Sequence, residues 1–232
     1  MLRLLTDFDG PIADVSDRYY RVYQHCLARC QHPGQAIAVL SQAEFWRLKR
    51  ARVPERQIGQ RSGLEADQAR QFARLRRETI HSLRYLNLDK LVPGAIAALE
   101  RLQQFGFDLA VVTMRRDHEL AVPLTRYELA RFFPPERRFC IGDTQVKSTD
   151  VQDKPSLLAR ALSELPPAGL QWMVGDTEAD LLAAQAHGVP SIAVLSGIRD
   201  RAQLAQYDPD FIVSDLSAAA ALVIERALSL AH

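Results

Sequence analysis

Two carboxylates, Asp7 and Asp9, stand one residue apart at the end of a short apolar run, Leu4-Leu5-Thr6-Asp7-Phe8-Asp9-Gly10. Side chains two apart in a strand share a face, so these acids would repel unless a cation, a donor or a sharp bend resolved the conflict. Gly10 supplies the bend. A second acidic turn, Gly175-Asp176-Thr177-Glu178-Ala179-Asp180, puts Asp176 on a glycine turn and Asp180 in the first turn of a following helix, close enough to serve one hard cation jointly. Thr177 followed by Asp180 also resembles a capping box, and acids near a helix N-terminus are favoured anyway, so Asp180 is compatible with both roles. Carboxylates from two strand ends, with no His or Cys cluster nearby, match the all-oxygen ligation of Mg2+ and disfavour zinc. If a phosphate ester binds across such an ion, one carboxylate can attack phosphorus while a second protonates the leaving oxygen and later activates water. Thr113, a hydroxyl ending an apolar strand, and Lys154, in Asp153-Lys154-Pro155-Ser156, are suitable donors to the developing charge. Each of these residues alone has a plainer reading: an acidic turn, an ordinary strand end, a solvated lysine.

The elements that must carry these residues alternate. Leu2, Leu4 and Leu5 read as a buried strand, and so do Phe107–Thr113, Arg138–Ile141, Leu170–Val174, Ser191–Leu195 and Phe211–Val213. Helical patterns separate them: Ile96 to Phe105, Ser156 to about Leu162, Glu178 to His187, and a last helix. Short continuous apolar strands alternating with helices predict an α/β fold with a parallel sheet covered on both faces, whose ligands bind at the carboxyl ends of the strands. Asp7, Asp9, Thr113, Asp143, Asp176 and Ser196-Gly197 all follow apolar runs, so that edge collects them. Between about Ser16 and Lys90 the texture is helical instead, with Tyr19, Tyr20, Val22, Tyr23 and Leu27 at helical spacing and one long helix predicted over Leu64–Leu86.

The 232 residues suffice for one large domain or a core with an insertion. A net charge of +1 gives no reason to expect nucleic acid or an anionic membrane as partner. No apolar run approaches the roughly 18 residues of a membrane span, and Met1–Leu5 is short for a secretory signal, so a cytoplasmic location is expected. Cys26, Cys30 and Cys140 are an odd number without a CxxC pair, which fits buried, reduced thiols. Residues 14–90 hold 15 Lys plus Arg against 8 Asp plus Glu, whereas the remainder holds 14 against 20. A basic segment over an acidic one suits an anionic substrate held between them with a cation, and Arg52, Arg56 and Arg61, near Pro54 and Gly59, are the candidates to face it.

Asp7-Phe8-Asp9-Gly10, Thr113 after its strand, Lys154-Pro155, and Gly175-Asp176 with Asp180 resemble, in order and spacing, the four motifs of the haloacid dehalogenase-like hydrolase superfamily. The resemblance covers nearly the whole chain. It implies a Rossmann-like core over residues 1–13 and 92–232 and a helical cap over 14–91, as in the phosphoglycolate phosphatase and β-phosphoglucomutase group. It further implies a Mg2+-dependent phosphatase acting on a small anionic phosphorylated metabolite through an aspartyl phosphate. Asp7 would be nucleophile and metal ligand, and Asp9 general acid/base with its carbonyl on the metal. Thr113 and Lys154 would hold the phosphoryl group, Asp176 and Asp180 would complete the Mg2+ site, and Gly10, Met114 and Arg115 would lie on the substrate side. Pro11 departs from the usual threonine, and Met114-Arg115 from a small polar residue; Arg115 could reach a second anionic group or simply be solvated. Gly142-Asp143-Thr144 copies the start of the last motif, but Lys147 occupies the place of its second acid. The same motifs serve phosphomutases, and the fold could also support a catalytically silent binding protein. Oligomeric state is not readable.

Overall fold

The computed structural model describes residues 1–230. Strand β1 (Leu2–Thr6) runs into the turn that carries Asp7 and Asp9, followed by a two-residue strand, β2 (Ala13–Asp14). Five helices follow: α1 (Ser16–Cys30), α2 (Gln42–Arg50), α3 (Glu55–Arg61), α4 (Ala66–Thr79) and α5 (Leu83–Leu86). The chain returns through β3 (Lys90–Leu91), which pairs antiparallel with β2, Ala13 opposite Leu91 and Asp14 opposite Lys90. From there helix and strand alternate: α6 (Ala95–Gln104), β4 (Phe107–Arg116), α7 (Asp117–Arg126), β5 (Arg138–Ile141), α8 (Asp150–Glu164) and β6 (Leu170–Gly175). The chain ends with α9 (Glu178–Ala186), β7 (Ser191–Val194), α10 (Arg201–Leu204), β8 (Phe211–Val213) and α11 (Leu216–Ser229).

Six strands form one parallel sheet in the order β5-β4-β1-β6-β7-β8. Alternation along each strand divides the core into two layers. Leu4, Leu109, Val111, Trp172 and Val174 pack with α6, α7 and α11, while Leu5, Ala110, Val112 and Met173 pack with α8 and α9. Both faces are thus apolar, which explains strand sequences that read as continuous hydrophobic runs. β1 lies between β4 and β6, so successive connections leave it in opposite directions; such a switch point opens a crevice at the carboxyl edge. Helices α1–α5 surround their own cluster, with Tyr23, Phe45 and Phe72 at its centre. Tyr23 and Phe45 stack with centroids 4.7 Å apart, and Phe72 meets Tyr23 edge-on at 6.1 Å.

Two local expectations change. The long helix over Leu64–Leu86 is broken after Thr79: the Ile80 carbonyl accepts from Arg18 Nη1 at 3.2 Å, and Ser82 begins the new turn of α5. Conversely, α8 begins at Asp150, where the Thr149 hydroxyl accepts from the Gln152 amide, and Pro155 lies within it. Lys154 therefore projects from a helix and not from a loop before one. Among the described residues no helix is long and apolar enough to cross a membrane.

Candidate active site

The end of β1 delivers Asp7 into the crevice. Its amide donates to the Val174 carbonyl at 2.8 Å, which extends the sheet by one bond, and its Oδ1 accepts from the Phe8 amide at 2.7 Å. The turn is closed by Gly10 donating to Ala13, and by Ile12 and Ala13 both donating to the Phe8 carbonyl. None of these bonds needs an amide at position 11, which is why Pro11 is tolerated. Gly10 has φ +92°, and a Cβ there would collide with the Asp176 carboxylate, as would one on Gly197. Two glycines thus let the backbone close around that side chain.

Asp7, Asp176 and Asp180 each present a carboxylate oxygen within 4.8 Å of the others, and all three are buried. Lys154 Nζ lies 3.0 Å from Asp7 Oδ1 and also pairs with Asp180. Asp180 Oδ2 accepts from the Thr177 amide at 3.0 Å and its hydroxyl at 2.7 Å, so one carboxylate caps α9 and faces the site together. Asp176 Oδ2 accepts from the Ile198 amide at 2.6 Å, but its Oδ1 is buried with no hydrogen-bond partner among the described residues. Three carboxylates against one ammonium leave a deficit of positive charge. Burial, with Asp180 and Asp9 adding repulsion against the pull of Lys154, moves Asp7 up to about 7. Burial and the charges of Asp180 and Asp7 push Asp176 well above the carboxylate range. For Lys154, burial favours the neutral form, but Asp180 and Asp7 outweigh it and keep it charged. An orphaned buried oxygen, two raised carboxyls and an all-oxygen donor set fit a hard divalent cation.

A cavity of about 700 Å³ opens from this cluster toward the helical insertion, lined by Asp7, Asp9, Thr113, Met114, Lys154 and Asp176. Thr113, at 1% exposure near the end of β4, uses its oxygen to accept from the Arg115 amide at 3.3 Å, which leaves its proton for a ligand.

Asp9 has different company. Arg18 Nη2 donates to its Oδ2 and Arg115 Nε to its Oδ1, both at 2.7 Å. The same two guanidiniums bind Asp89, through Arg18 Nε at 2.9 Å and through Arg115 Nη2. Burial alone would raise Asp9, but Arg115 and Arg18 prevail and hold it far below the usual range. Asp89 is raised by burial despite both arginines. Arg115 is therefore neither solvated nor free for a substrate anion: it is 1% exposed, stacked over Phe8 at 4.9 Å and committed to two carboxylates.

The other arginine candidates separate. Arg56 lines the cavity. Arg52 does not; it bridges to the core, donating to the Tyr207 hydroxyl at 2.8 Å and pairing with Glu178 at 3.2 Å. Arg61 is exposed at the end of α3, away from the cavity lining. Asp143, the copy of the last motif, is exposed and bonded to His118 Nδ1 at 2.7 Å. Sequence reasoning missed Arg18 and Asp89, and also Glu55 and Arg76, which line the cavity from α3 and α4. Arg18 and Asp89 meet across 71 residues, and no local pattern announces such a pair.

Residues 4–194 match the family model for haloacid dehalogenase-like hydrolases, and the chain belongs to that family. It is 33% identical over 150 residues to phosphoglycolate phosphatase of Agrobacterium fabrum, which covers 59% of this chain and 56% of that protein. It is 24% identical over 219 residues to phosphoglycolate phosphatase of Pseudomonas fluorescens, 93% of this chain and 77% of that one. The chain spans about half the length of the first of these relatives. The fold resembles that of a predicted phosphatase from Clostridium acetobutylicum, with TM-score 0.68, 20% identity and coverage of 96% and 98% of the two chains. It also resembles a haloacid dehalogenase-like family hydrolase from Streptococcus pneumoniae, with TM-score 0.66, 20% identity and coverage of 95% and 97%.

Proposed function

We propose that this protein is a Mg2+-dependent phosphomonoesterase acting on a small phosphorylated metabolite through an aspartyl phosphate. The observation that carries this reading is the convergence of Asp7, Asp176 and Lys154 on a cavity walled by the cationic insertion, with Asp180 buried beside them. Asp7 and Asp176 would hold Mg2+ with the Asp9 carbonyl, and Asp180 acts from beside them; the ion would neutralise phosphate oxygens and lower the cost of bringing an anion to a carboxylate nucleophile.

A carboxylate oxygen of Asp7 attacks phosphorus, and the phosphorus–oxygen bond to the leaving group breaks as that oxygen takes a proton from Asp9. Water, giving its proton back to Asp9, then attacks the same phosphorus; the bond to Asp7 breaks and inorganic phosphate leaves. Lys154 and the Thr113 hydroxyl donate to the phosphoryl oxygens throughout. Asp9 can exchange a proton only when it leaves the arginine bridge, because a carboxylate held by two guanidiniums stays ionised. Hydrolysis of p-nitrophenyl phosphate tests the reading. Activity is expected with Mg2+, is lost on chelation, and falls at least about 10⁴-fold in Asp7→Asn. Activity that survives either change refutes it.

A further inference from the structure

Ser196-Gly197 follows β7 as Asp7 follows β1, yet the proposed chemistry gives it no task. The segment it opens touches three parts of the molecule. The Ser196 hydroxyl donates to the Gly10 carbonyl at 2.8 Å, which ties the segment to the turn after β1. Gly197 lies too close to the Asp176 carboxylate for a Cβ to fit. The Ile198 amide donates to Asp176 Oδ2 at 2.6 Å. Arg199 grips Glu178 of α9 through Nε at 2.8 Å and Nη2 at 3.0 Å. The far end meets the helical insertion. Arg50, the last residue of α2, donates from Nη2 to the Arg199 carbonyl at 3.2 Å, and its own carbonyl accepts from the Asp200 amide at 3.1 Å.

These bonds decide which oxygen of Asp176 is free. Oδ2 is taken by an amide, so Oδ1, buried and without a hydrogen-bond partner among the described residues, is the atom left for a cation. Outer groups that orient a ligand without touching the ion are a general means of tuning metal sites. Here the orienting amide keeps its place only while residues 196–200 keep theirs.

Resting on the reading that a divalent cation binds at Asp7 and Asp176, we infer that Arg50 is a positioning residue for that ion. From the helical insertion it holds residues 196–200, whose Ile198 amide turns Asp176 Oδ1 toward the metal. Cation binding and the seating of the insertion on the core are then coupled, and the coupling acts equally in both directions. Its sign separates it from simple electrostatics. A guanidinium repels Mg2+, so removal of its charge would by itself tighten binding, whereas loss of the positioning bond weakens it.

Calorimetric titration of the full chain with Mg2+ alone tests this without requiring turnover. Arg50→Met is expected to weaken Mg2+ binding by about 3- to 10-fold. Arg50→Lys keeps a donor for the Arg199 carbonyl, a single bond that does not need the guanidinium fork, and is expected to bind within about 2-fold of wild type. Ser196→Ala cuts the tie to Gly10 without changing charge and is expected to weaken binding as well. Arg47→Met, which removes an exposed charge from the same helix, should leave binding unchanged or slightly tighter. Hydrogen exchange followed by NMR supplies the reciprocal measurement. Saturating Mg2+ should slow exchange of the Asp200 amide in wild type, and the slowing should shrink in Arg50→Met. Thermal denaturation establishes that each variant folds; should Arg50→Met fail to, Ser196→Ala and the exchange of wild type decide. Binding in folded Arg50→Met as tight as in wild type, or tighter, overturns the inference and leaves the metal site standing. So does an Asp200 amide indifferent to Mg2+, or an equal loss in Arg47→Met, which would make the effect a general one of altering α2. Absence of Mg2+ binding in wild type overturns both readings.

Discussion

Two ionic clusters begin on the same turn, at Asp7 and Asp9, and differ above all in their balance. Asp7, Asp176 and Asp180 share one cation, Lys154. Asp9 and Asp89 share two, Arg18 and Arg115. The first cluster lacks two positive charges, the amount a divalent ion supplies; the second is complete in itself. The difference assigns their physical roles. An unbalanced buried cluster fits a binding site, because a partner from outside would complete its charge. A balanced one ties segments of the chain together at rest, and this one joins the turn after β1, α1, the segment before β3 and the end of β4.

The balanced cluster is the one whose damage should cost most. Arg115→Met leaves Asp9 and Asp89 competing for Arg18 alone, and breaking a buried ion pair from one side typically costs about 3–5 kcal/mol. For a chain of this length the melting temperature should fall by about 6–20 °C. A change under about 2 °C would show that the ring is not a tie.

The unbalanced cluster should respond to ions instead. Mg2+ at 100 times its dissociation constant stabilises by about 2.7 kcal/mol, which corresponds to roughly 5–10 °C. Asp176→Asn should reduce that shift sharply, since it removes a ligand charge and a negative oxygen that has no partner. If the shift persists unchanged, the ion sits elsewhere.

The same variant separates the clusters again in the absence of metal. The carboxamide introduced by Asp176→Asn can still accept from the Ile198 amide while its NH2 group donates toward Asp7 or Asp180, so the metal-free variant should melt higher than wild type, by about 2–6 °C. The sign with pH follows from Asp7, raised from 3.8 to about 7. Its folded form holds a proton that the unfolded chain has released, so its contribution is full below about pH 4 and is lost as pH rises through 7. Metal-free wild type should therefore lose a few degrees between pH 5.5 and 8, and Mg2+ should remove or reverse that slope. Asp9 is shifted the other way: its contribution is present above its ordinary pKa and lost only in stronger acid, outside this window. A melting temperature flat across pH 5.5–8 without metal would contradict the charge deficit.

How much of this was legible in the sequence follows the range of each interaction. Strand ends, the Gly175-Asp176 turn and the capping pattern of Thr177 with Asp180 are local, so the alternation of elements and the family motifs could be read directly. The edge that gathers Asp7, Thr113 and Asp176 follows from parallel strands. Arg115 could not be understood that way, because its partners, Asp9 and Asp89, lie 106 and 26 residues distant. Charge type alone suggested substrate or solvent; burial among carboxylates decided otherwise. The insertion posed the same difficulty. Its surplus of arginine was visible, but proximity to Pro54 and Gly59 pointed to Arg52 and Arg61, whereas the buried arginine that the insertion brings to the cavity wall is Arg76, placed there by the packing of α4 against Tyr19 and Phe45.

A third ion pair marks the weak end of the comparison. Arg52 crosses from the insertion to Glu178 at 3.2 Å, as the buried ring crosses from the insertion to β4, yet its side chain is 47% exposed. Solvent screens that charge and holds it nearly as well as Glu178 does, and Glu178 keeps a better partner in Arg199, at 2.8 Å through Nε and 3.0 Å through Nη2. Arg52 also has φ +57°, a conformation that costs a residue with a side chain roughly 1 kcal/mol, so Arg52→Gly relieves strain while removing the bridge. Arg52→Ala should shift the melting temperature by less than about 3 °C, and Arg52→Gly should melt no lower than Arg52→Ala. A loss in Arg52→Ala as large as that of Arg115→Met would mean that exposure is not what separates a tie from a surface contact.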